Sequence, residues 1–231
     1  DQRSDRQPEF TQLDLEMSFV AEEDVMNLIE GLLIHLIEKT TRKRIKQLPF
    51  PRLKYADVMD RYGTDHPDLR FDLPLVEISD LAVAGNFGVF QNALAANGIV
   101  KGIRVPQAGH YSRKEIEELT EFARMLGAKG LVTLAISPTG EVKSPLTRFM
   151  TTEEVQAIIS RLSGEPGDLL LFVADSAKVS NDVLFRLRVK LAARLKLIDP
   201  NEMALCWVVD FPLLHFDEEG QRYEAEHNPF S

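Results

Sequence analysis

Acidic side chains alternate with apolar ones close to the amino-terminal end of the chain, between residues 9 and 19. A β-strand places successive side chains on opposite faces, so Asp14 and Glu16 would share one face and Leu13 and Leu15 the other. The polar face is rich in oxygen acceptors and contains no Lys or Arg. Such a face could bind an ammonium group or a metal-bound phosphate, but an ordinary strand facing water gives the same alternation. The pattern alone leaves both interpretations open.

Three residues near the other end of the chain carry side chains that can ligate a metal, namely His215, Asp217 and His227. Their spacing matches no familiar zinc motif, and neither a neighbouring cysteine nor an HExxH helix accompanies them. The sequence therefore predicts no metal site built from this set.

The single cysteine, Cys206, lies in an apolar run at residues 205–209. In such a run a thiol is typical of a small buried hydrophobic side chain rather than of a nucleophile. One cysteine forms no internal disulfide, and its use fits a reducing compartment. A cytoplasmic location is therefore expected.

Composition excludes several classes of function. The net charge of −9, from 27 Lys and Arg against 36 Asp and Glu, disfavours a free-standing nucleic-acid binder, which needs a basic surface. No apolar run approaches the ~18 residues that a membrane span requires, and no signal peptide is recognisable. The chain opens at Asp1 rather than Met and closes at Ser231, which we interpret as two cuts through a longer protein.

The elements that must position the alternating segment are visible in the apolar spacing. This spacing predicts amphipathic helices at residues 22–37 and 55–62. Residues 205–214 are apolar on both faces except at Asp210, which is typical of a central strand in a covered sheet. A carboxylate in such a strand would need a hydrogen-bonding partner. A return strand is predicted at residues 221–226.

Strands and helices alternate between about residues 70 and 198, which could form a core of their own. Strands are predicted at residues 72–79, 99–105, 131–136 and 169–174. Ser112 and Thr151 are each followed three residues later by glutamate, which predicts two capped helix starts. Asn181 is predicted to cap the helix that follows the last of these strands.

Three stretches of the sequence together resemble bacterial and mitochondrial aspartyl-tRNA synthetases. They are residues 5–19 (DRQPEFTQLDLEMSF), residues 61–71 (RYGTDHPDLRF), and the pair 207–212 (WVVDFP) and 227–230 (HNPF). The first resembles the segment after motif 2 of that family, the second the entry into its inserted domain, and the third the return to its catalytic core. Order and spacing fit as well, so the resemblance covers essentially the whole chain.

The resemblance implies an α+β fold, in which segments of the class II synthetase antiparallel sheet are flanked by helices and carry an inserted two-layer α+β GAD domain. It places a catalytic-core segment at residues 1–69, the GAD domain at 70–200 and a second core segment at 201–231. The strands predicted at 9–19 and 205–214 should then belong to one sheet of the same domain.

The resemblance also assigns roles to individual residues. Gln7 matches a glutamine that contacts ATP, Asp14 an aspartate that receives the α-ammonium of the amino acid, and His227 a histidine near the substrate carboxylate. Asn228 stands where the family has a second histidine, so the role of that position is not carried over. Glu16 shares the face of Asp14 and is expected to support Mg²⁺ or a neighbouring arginine. No residue of the chain is assigned a catalytic role.

The activity implied by the resemblance is that of a homodimeric ligase. Such an enzyme joins L-aspartate to ATP with Mg²⁺, forms aspartyl-adenylate and transfers the aspartyl group to the terminal ribose of tRNA. The arginines of motifs 2 and 3 are absent from these residues, so the chain alone is expected to be inactive. The sequence leaves open whether the tRNA is that for aspartate only or also that for asparagine.

An alternative hypothesis is that residues 70–200 form a non-catalytic binding module that contacts tRNA or a protein partner. Folding and binding by the excised segment would distinguish it from the ligase hypothesis.

Overall fold

The computed structural model describes residues 9–217 and 220–225, and for His215 and Asp217 it describes the backbone only. The chain forms two compact units, Asp1–Arg44 and Ile45–Ser231. Each unit is described by itself below.

The first unit contains one long helix, α1 (Glu22–Thr40), as the apolar spacing predicted. Its first turn is acidic and its last turn contains Lys39, an arrangement that complements the helix dipole. The Asp24 carboxylate accepts a hydrogen bond of 2.9 Å from the Ala21 N–H at the start of the helix.

The strand predicted at residues 9–19 is wrong. Residues 10–17 have no regular secondary structure, and both Leu13 and Leu15 are exposed. Alternation fits a strand, but a strand also needs a neighbour whose N–H and C=O groups complete its ladder. No strand within the described part of the chain pairs with this segment.

A five-stranded sheet organises the second unit. Its strands are β3 (Leu75–Glu77), β4 (Ile99–Val105), β5 (Val132–Ile136), β6 (Val142–Lys143) and β7 (Leu169–Asp175). Their order is β3-β4-β7-β5-β6, and every neighbouring pair is antiparallel. Strands β4 and β7 pair along their whole lengths, from Ile99 opposite Asp175 to Val105 opposite Leu169. All four strands predicted in this region are confirmed.

Helices cover both faces of this sheet, so the predicted α+β class is confirmed but the two-layer arrangement is wrong. On one face lie α3 (Ser79–Ala82), α4 (Gly88–Ala95) and α6 (Thr152–Arg161), and on the other α5 (Arg113–Met125) and α7 (Ala177–Arg194). Strand β7 shows the reason, because Leu170 and Phe172 are buried in one core while Leu169, Leu171 and Val173 are buried in the other. A strand that is apolar on both sides needs cover on both sides.

The helix starts were predicted with mixed success. The Glu115 N–H donates to Ser112 Oγ at 3.3 Å and the Glu154 N–H to Thr151 Oγ1 at 3.2 Å, so both predicted capping boxes are confirmed. The predicted cap at Asn181 is wrong. Helix α7 begins earlier, with Ser176 as its cap, and Asn181 lies inside the helix.

The residues before and after this sheet pair with one another. Strand β2 (Arg52–Lys54), which is followed by α2 (Tyr55–Tyr62), lies parallel to β9 (Trp207–Val209), with Leu53 opposite Val208. The short strand β1 (Arg44–Ile45) pairs with β8 (Glu202–Met203). This pairing agrees with an insertion of the intervening residues, whereas the domain boundaries at 69/70 and 200/201 stay a prediction.

The long strand predicted at residues 205–214 is wrong. Between residues 205 and 213 only β9 is a strand, and Asp210 then adopts a left-handed conformation with φ of 57°, which ends it; the next strand begins at Leu214. Asp210 is exposed, and its carboxylate lies 3.4 Å from Lys54 Nζ, so no buried carboxylate has to be satisfied. Within the described residues no sheet contains both this segment and residues 9–19, because the latter form no strand. That the two segments share one domain stays a prediction.

A hairpin closes the described part of the chain. Strand β10 (Leu214–Asp217) pairs antiparallel with β11 (Arg222–Ala225), which confirms the return strand predicted at residues 221–226. Within residues 9–217 and 220–225, every helix is too short or too polar to cross a bilayer.

Candidate functional site

Two carboxylates of the predicted binding face, Asp14 and Glu16, are within the described residues. Both are exposed. Among residues 9–217 and 220–225, neither has a hydrogen-bond or ion-pair partner, so their oxygens are available to a ligand. A carboxylate of this kind can accept hydrogen bonds from an ammonium group or coordinate a hard cation such as Mg²⁺.

The other two predicted site residues, Gln7 and His227, lie outside the described residues. The structure therefore places Asp14 and Glu16 together, two residues apart on one exposed segment, and says nothing of their distance from the other two. The ATP contact of Gln7 and the carboxylate contact of His227 stay predictions.

Metal ligation by the protein alone finds no support in the part of the chain that the structure describes. Within it, no group of three His, Cys, Asp or Glu side chains is arranged to hold a metal ion. The structure describes none of the side chains of His215, Asp217 and His227, so it does not test metal ligation by that set.

Cys206 is partly buried, and burial raises the pKa of its thiol. A raised pKa leaves less thiolate at neutral pH, and the thiolate is the reactive form. This agrees with the interpretation of Cys206 as a packing residue.

We expect Cys206 to react with iodoacetamide more slowly than free cysteine at pH 7.5 in the native protein. The difference in alkylation rate between Cys206 and free cysteine should become smaller as the pH rises through the raised pKa. It should disappear in urea, because unfolding exposes the thiol. Mass-spectrometric alkylation rates measure this. A native rate equal to that of free cysteine at pH 7.5 would contradict the expectation.

A hydroxyl, an imidazole and a carboxylate meet at Thr64, Asp65 and His66. Thr64 Oγ1 lies 3.0 Å and Asp65 Oδ1 lies 2.6 Å from the same atom, His66 Nδ1. In a nucleophilic triad the hydroxyl and the carboxylate contact opposite ring nitrogens, so that the imidazole can move a proton between them. Here the carboxylate and the shorter contact of the hydroxyl share Nδ1, and the hydroxyl lies 3.4 Å from Nε2. We therefore assign the cluster to loop structure.

Two buried cations, which sequence reasoning missed, contact α2 and the segment that follows it. The side chain of Lys101 is 2% exposed, and its Nζ donates to the Asp60 carbonyl at 2.7 Å, to Asp60 Oδ1 at 2.6 Å and to Asn181 Oδ1 at 3.1 Å. In β4, Lys101 shares a face with Ile103 and Val105. A cation on an apolar face was the signal that could have identified it.

The second buried cation is Arg188 of α7, which is fully buried. Its Nη2 donates to the carbonyls of Asp68 and Phe71 at 2.8 and 3.0 Å, and its Nε donates to the Leu73 carbonyl at 3.0 Å. The guanidinium also lies over the rings of Phe71 and Tyr62, at 4.1 and 4.9 Å from their centroids. Burial lowers the pKa of Arg188.

The loop that Arg188 holds carries its own ion pair. Arg70 Nη2 donates to Asp68 Oδ2 at 2.6 Å and Arg70 Nε to Asp68 Oδ1 at 2.9 Å. Burial raises the pKa of Asp68, but the hydrogen bonds and charge of Arg70 outweigh burial and hold that pKa below its usual value. Residues 61–71, the second resembling stretch, are thus held to helix α7 by the buried Arg188 and are braced internally by the Asp68–Arg70 ion pair.

The comparisons with known proteins cover the chain from end to end. The family model for tRNA synthetases class II (D, K and N) matches residues 1–231. The aspartate–tRNA(Asp/Asn) ligases of Moorella thermoacetica, Symbiobacterium thermophilum and Caldanaerobacter subterraneus are 47%, 50% and 49% identical over all 231 residues. The chain spans 38–39% of the length of these relatives. Because the family model matches its full length, the chain belongs to the class II tRNA synthetases of the D, K and N group.

Proposed function

We propose that this chain is part of an aspartate–tRNA ligase, which activates L-aspartate with ATP and transfers it to tRNA. The proposal rests on one observation. Over the whole chain, the sequence is 47–50% identical to relatives named as aspartate–tRNA(Asp/Asn) ligases. The exposed and unpaired carboxylates of Asp14 and Glu16 support it, because the substrate brings an ammonium group that needs an anionic partner.

The chemistry needs positioning and charge neutralisation more than a protein nucleophile. A carboxylate oxygen of aspartate attacks the α-phosphorus of ATP and pyrophosphate leaves, which gives aspartyl-adenylate. A ribose hydroxyl of tRNA then attacks the carbonyl carbon and AMP leaves. In this scheme Asp14 binds the ammonium group, His227 lies near the side-chain carboxylate of the substrate, and Gln7 contacts ATP.

Mg²⁺ would neutralise charge on the phosphates of ATP, and the carboxylate of Glu16 has the chemistry to support it. Asp14 and Glu16 are two residues apart and exposed, which is compatible with one receiving the ammonium group while the other faces the metal-bound phosphates. The arginines of motifs 2 and 3 would come from outside residues 1–231.

The partners of the whole protein follow from the same proposal. They are L-aspartate, ATP and tRNA, with a second copy of the protein in a homodimer in the cytoplasm. The three relatives are named for both aspartate and asparagine tRNA. We therefore extend the proposal to aspartylation of both tRNAs.

The experiment is ATP–pyrophosphate exchange by the full-length protein that contains this chain, followed by charging of purified tRNAs. Exchange should depend on L-aspartate and not on L-asparagine, and both aspartate and asparagine tRNAs should become aspartylated. Exchange that no amino acid stimulates would overturn the proposed activity. Charging of aspartate tRNA alone would overturn only its extension to the second tRNA.

A further inference from the structure

A cavity of about 440 Å³ opens between α4, the end of α5 and the start of strand β5, at the end of the five-stranded sheet where β5 begins and β7 ends. This volume lies within the range of about 300–1,000 Å³ that is usual for small-molecule sites. Its apolar wall is formed by Phe87, Ala93, Leu131, Val132 and Ala174. Phe87, Ala93, Val132 and Ala174 also belong to the buried core, so the sheet and its helices hold this wall in place.

Cations, and no acidic residues, are found among the described residues that line the cavity. Arg124 and Lys129 contribute to its lining, although the chain as a whole has a net charge of −9. Acidic residues outnumber basic ones by 36 to 27. The described lining thus contains two cations and no carboxylate. The carboxylates of Glu121 and Asp175 that pair with these cations lie at 3.8 Å, too far for hydrogen bonds, so an anion in the cavity could accept hydrogen bonds from both cations.

The hydrogen-bond donors of both cations are uncommitted. Arg124 Nη1 lies 3.8 Å from Glu121 Oε2, and Lys129 Nζ lies 3.8 Å from Asp175 Oδ2. Both distances exceed those of hydrogen bonds. The side chains are 58% and 77% exposed, and within residues 9–217 and 220–225 neither donates a hydrogen bond.

Two neutral polar groups add to this set. The Asn92 amide and the Thr133 hydroxyl line the same cavity. Neither side chain forms a hydrogen bond with another described residue. An apolar wall with a few convergent, unsatisfied polar groups is the usual composition of a ligand site.

We propose that this cavity binds a small organic anion whose carboxylate or phosphate is carried by an apolar body. Arg124 and Lys129 contact the anionic group, Asn92 and Thr133 orient it, and the apolar body lies against Leu131 and Val132. A free inorganic anion would leave the apolar wall exposed to water. A neutral apolar molecule would make no charged contact with Arg124 or Lys129.

The test uses the full-length protein that contains this chain, labelled at valine and leucine methyl groups for NMR. Octanoate, octyl phosphate and octanol are titrated as probes that share one apolar chain and differ in the head group. Octanoate or octyl phosphate should shift the methyl signals of Val89, Leu131 and Val132. Octanol should bind about tenfold more weakly, since it lacks the charge-assisted contacts. The ratio between the two anions identifies the preferred head group.

Charge variants provide the second arm. The double variant Arg124→Gln with Lys129→Gln should weaken binding of the anion about tenfold and leave octanol unchanged. The matched control is Arg113→Gln with Lys114→Gln, at the exposed start of the same helix and away from the cavity, which should bind like wild type.

Three outcomes would overturn the proposal. They are equal affinity for octanol and octanoate, undiminished octanoate binding by the double variant, and the absence of shifts at Leu131 and Val132 with millimolar probe. None of these outcomes bears on aspartate activation, so failure here is distinguishable from failure of the proposed function.

Discussion

Arg188→Met is expected to lower the free energy of unfolding of the second unit by about 3–5 kcal/mol, as other losses of one partner from a buried polar network do. Methionine fills similar space, so the loss comes from hydrogen bonds rather than from a cavity. The carbonyls of Asp68, Phe71 and Leu73 would each lose a donor. A buried carbonyl without a partner costs about 1–3 kcal/mol, and three are affected at once.

A hydrophobic replacement of a buried ion pair can be neutral or even stabilising, because it removes the cost of burying charge. This argument does not apply to Arg188→Met. The guanidinium binds backbone carbonyls, and a methionine leaves those carbonyls in place. Among the described residues Arg188 Nη1 has no hydrogen-bond partner. The native protein therefore already bears the desolvation cost of this one buried N–H group.

Two variants make this measurement specific. Arg186→Met, on the same helix but 52% exposed and paired with Asp182, should change stability by about 0.5 kcal/mol or less, as surface ion pairs do. Arg188→Lys keeps the charge but lacks the planar guanidinium that reaches three carbonyls. Its loss of unfolding free energy should lie between those of Arg188→Met and Arg186→Met.

The measurement is urea unfolding, with hydrogen exchange of residues 60–73 as the local probe. In Arg188→Met the amides of this loop should exchange faster than those of β4 and β7. A change of less than about 1 kcal/mol, comparable to a surface substitution, would show that the loop is held by other contacts, such as the Lys101–Asp60 pair.

Local signals predicted the second unit well. The strands β4, β5 and β7 and the helices after Ser112 and Thr151 are set by apolar runs and capping boxes, which act over a few residues. The predicted cap at Asn181 was wrong because it relied on the same kind of local signal. Asparagine often caps helices, but here Asn181 lies inside α7 and accepts a hydrogen bond from Lys101.

Non-local pairing was the part that the sequence could not determine. Residues 9–19 have the alternation of a strand, but a strand exists only where a neighbour completes its ladder. In residues 205–214, the left-handed Asp210 ends β9 after three residues, although the hydropathy continues beyond it. The helices on both faces of the sheet could have been inferred from β7, which is apolar on both sides.

The candidate site was predictable in residue type but not in geometry. Alternation predicted that the carboxylates of Asp14 and Glu16 are acceptors on one side of the segment, and both are exposed and have no partner among the described residues. Alternation cannot say what an acceptor binds. That step needed the resemblance, which supplied the ammonium group as the ligand of Asp14 and added Gln7 and His227, two residues with no periodic signal of their own.

In the full-length enzyme, Asp14→Asn is expected to lower kcat/KM for L-aspartate by about a hundredfold or more, the loss typical of a charge-assisted hydrogen bond to a substrate. Asparagine keeps the shape of the side chain and removes its charge, so the ammonium group loses its anionic partner. In the proposed arrangement other groups bind ATP, so the KM for ATP should change little.

Glu16→Gln is the matched control, because it removes one charge from the same exposed segment two residues away. A smaller loss, expressed in the Mg²⁺ or ATP dependence rather than in aspartate use, is expected there. Pyrophosphate exchange with aspartate and ATP varied separately distinguishes the two residues. Equal losses in both variants would indicate general damage to the segment. Wild-type use of aspartate by Asp14→Asn would remove Asp14 from the binding site, because a neutral amide cannot replace a carboxylate as the counter-charge of an ammonium group.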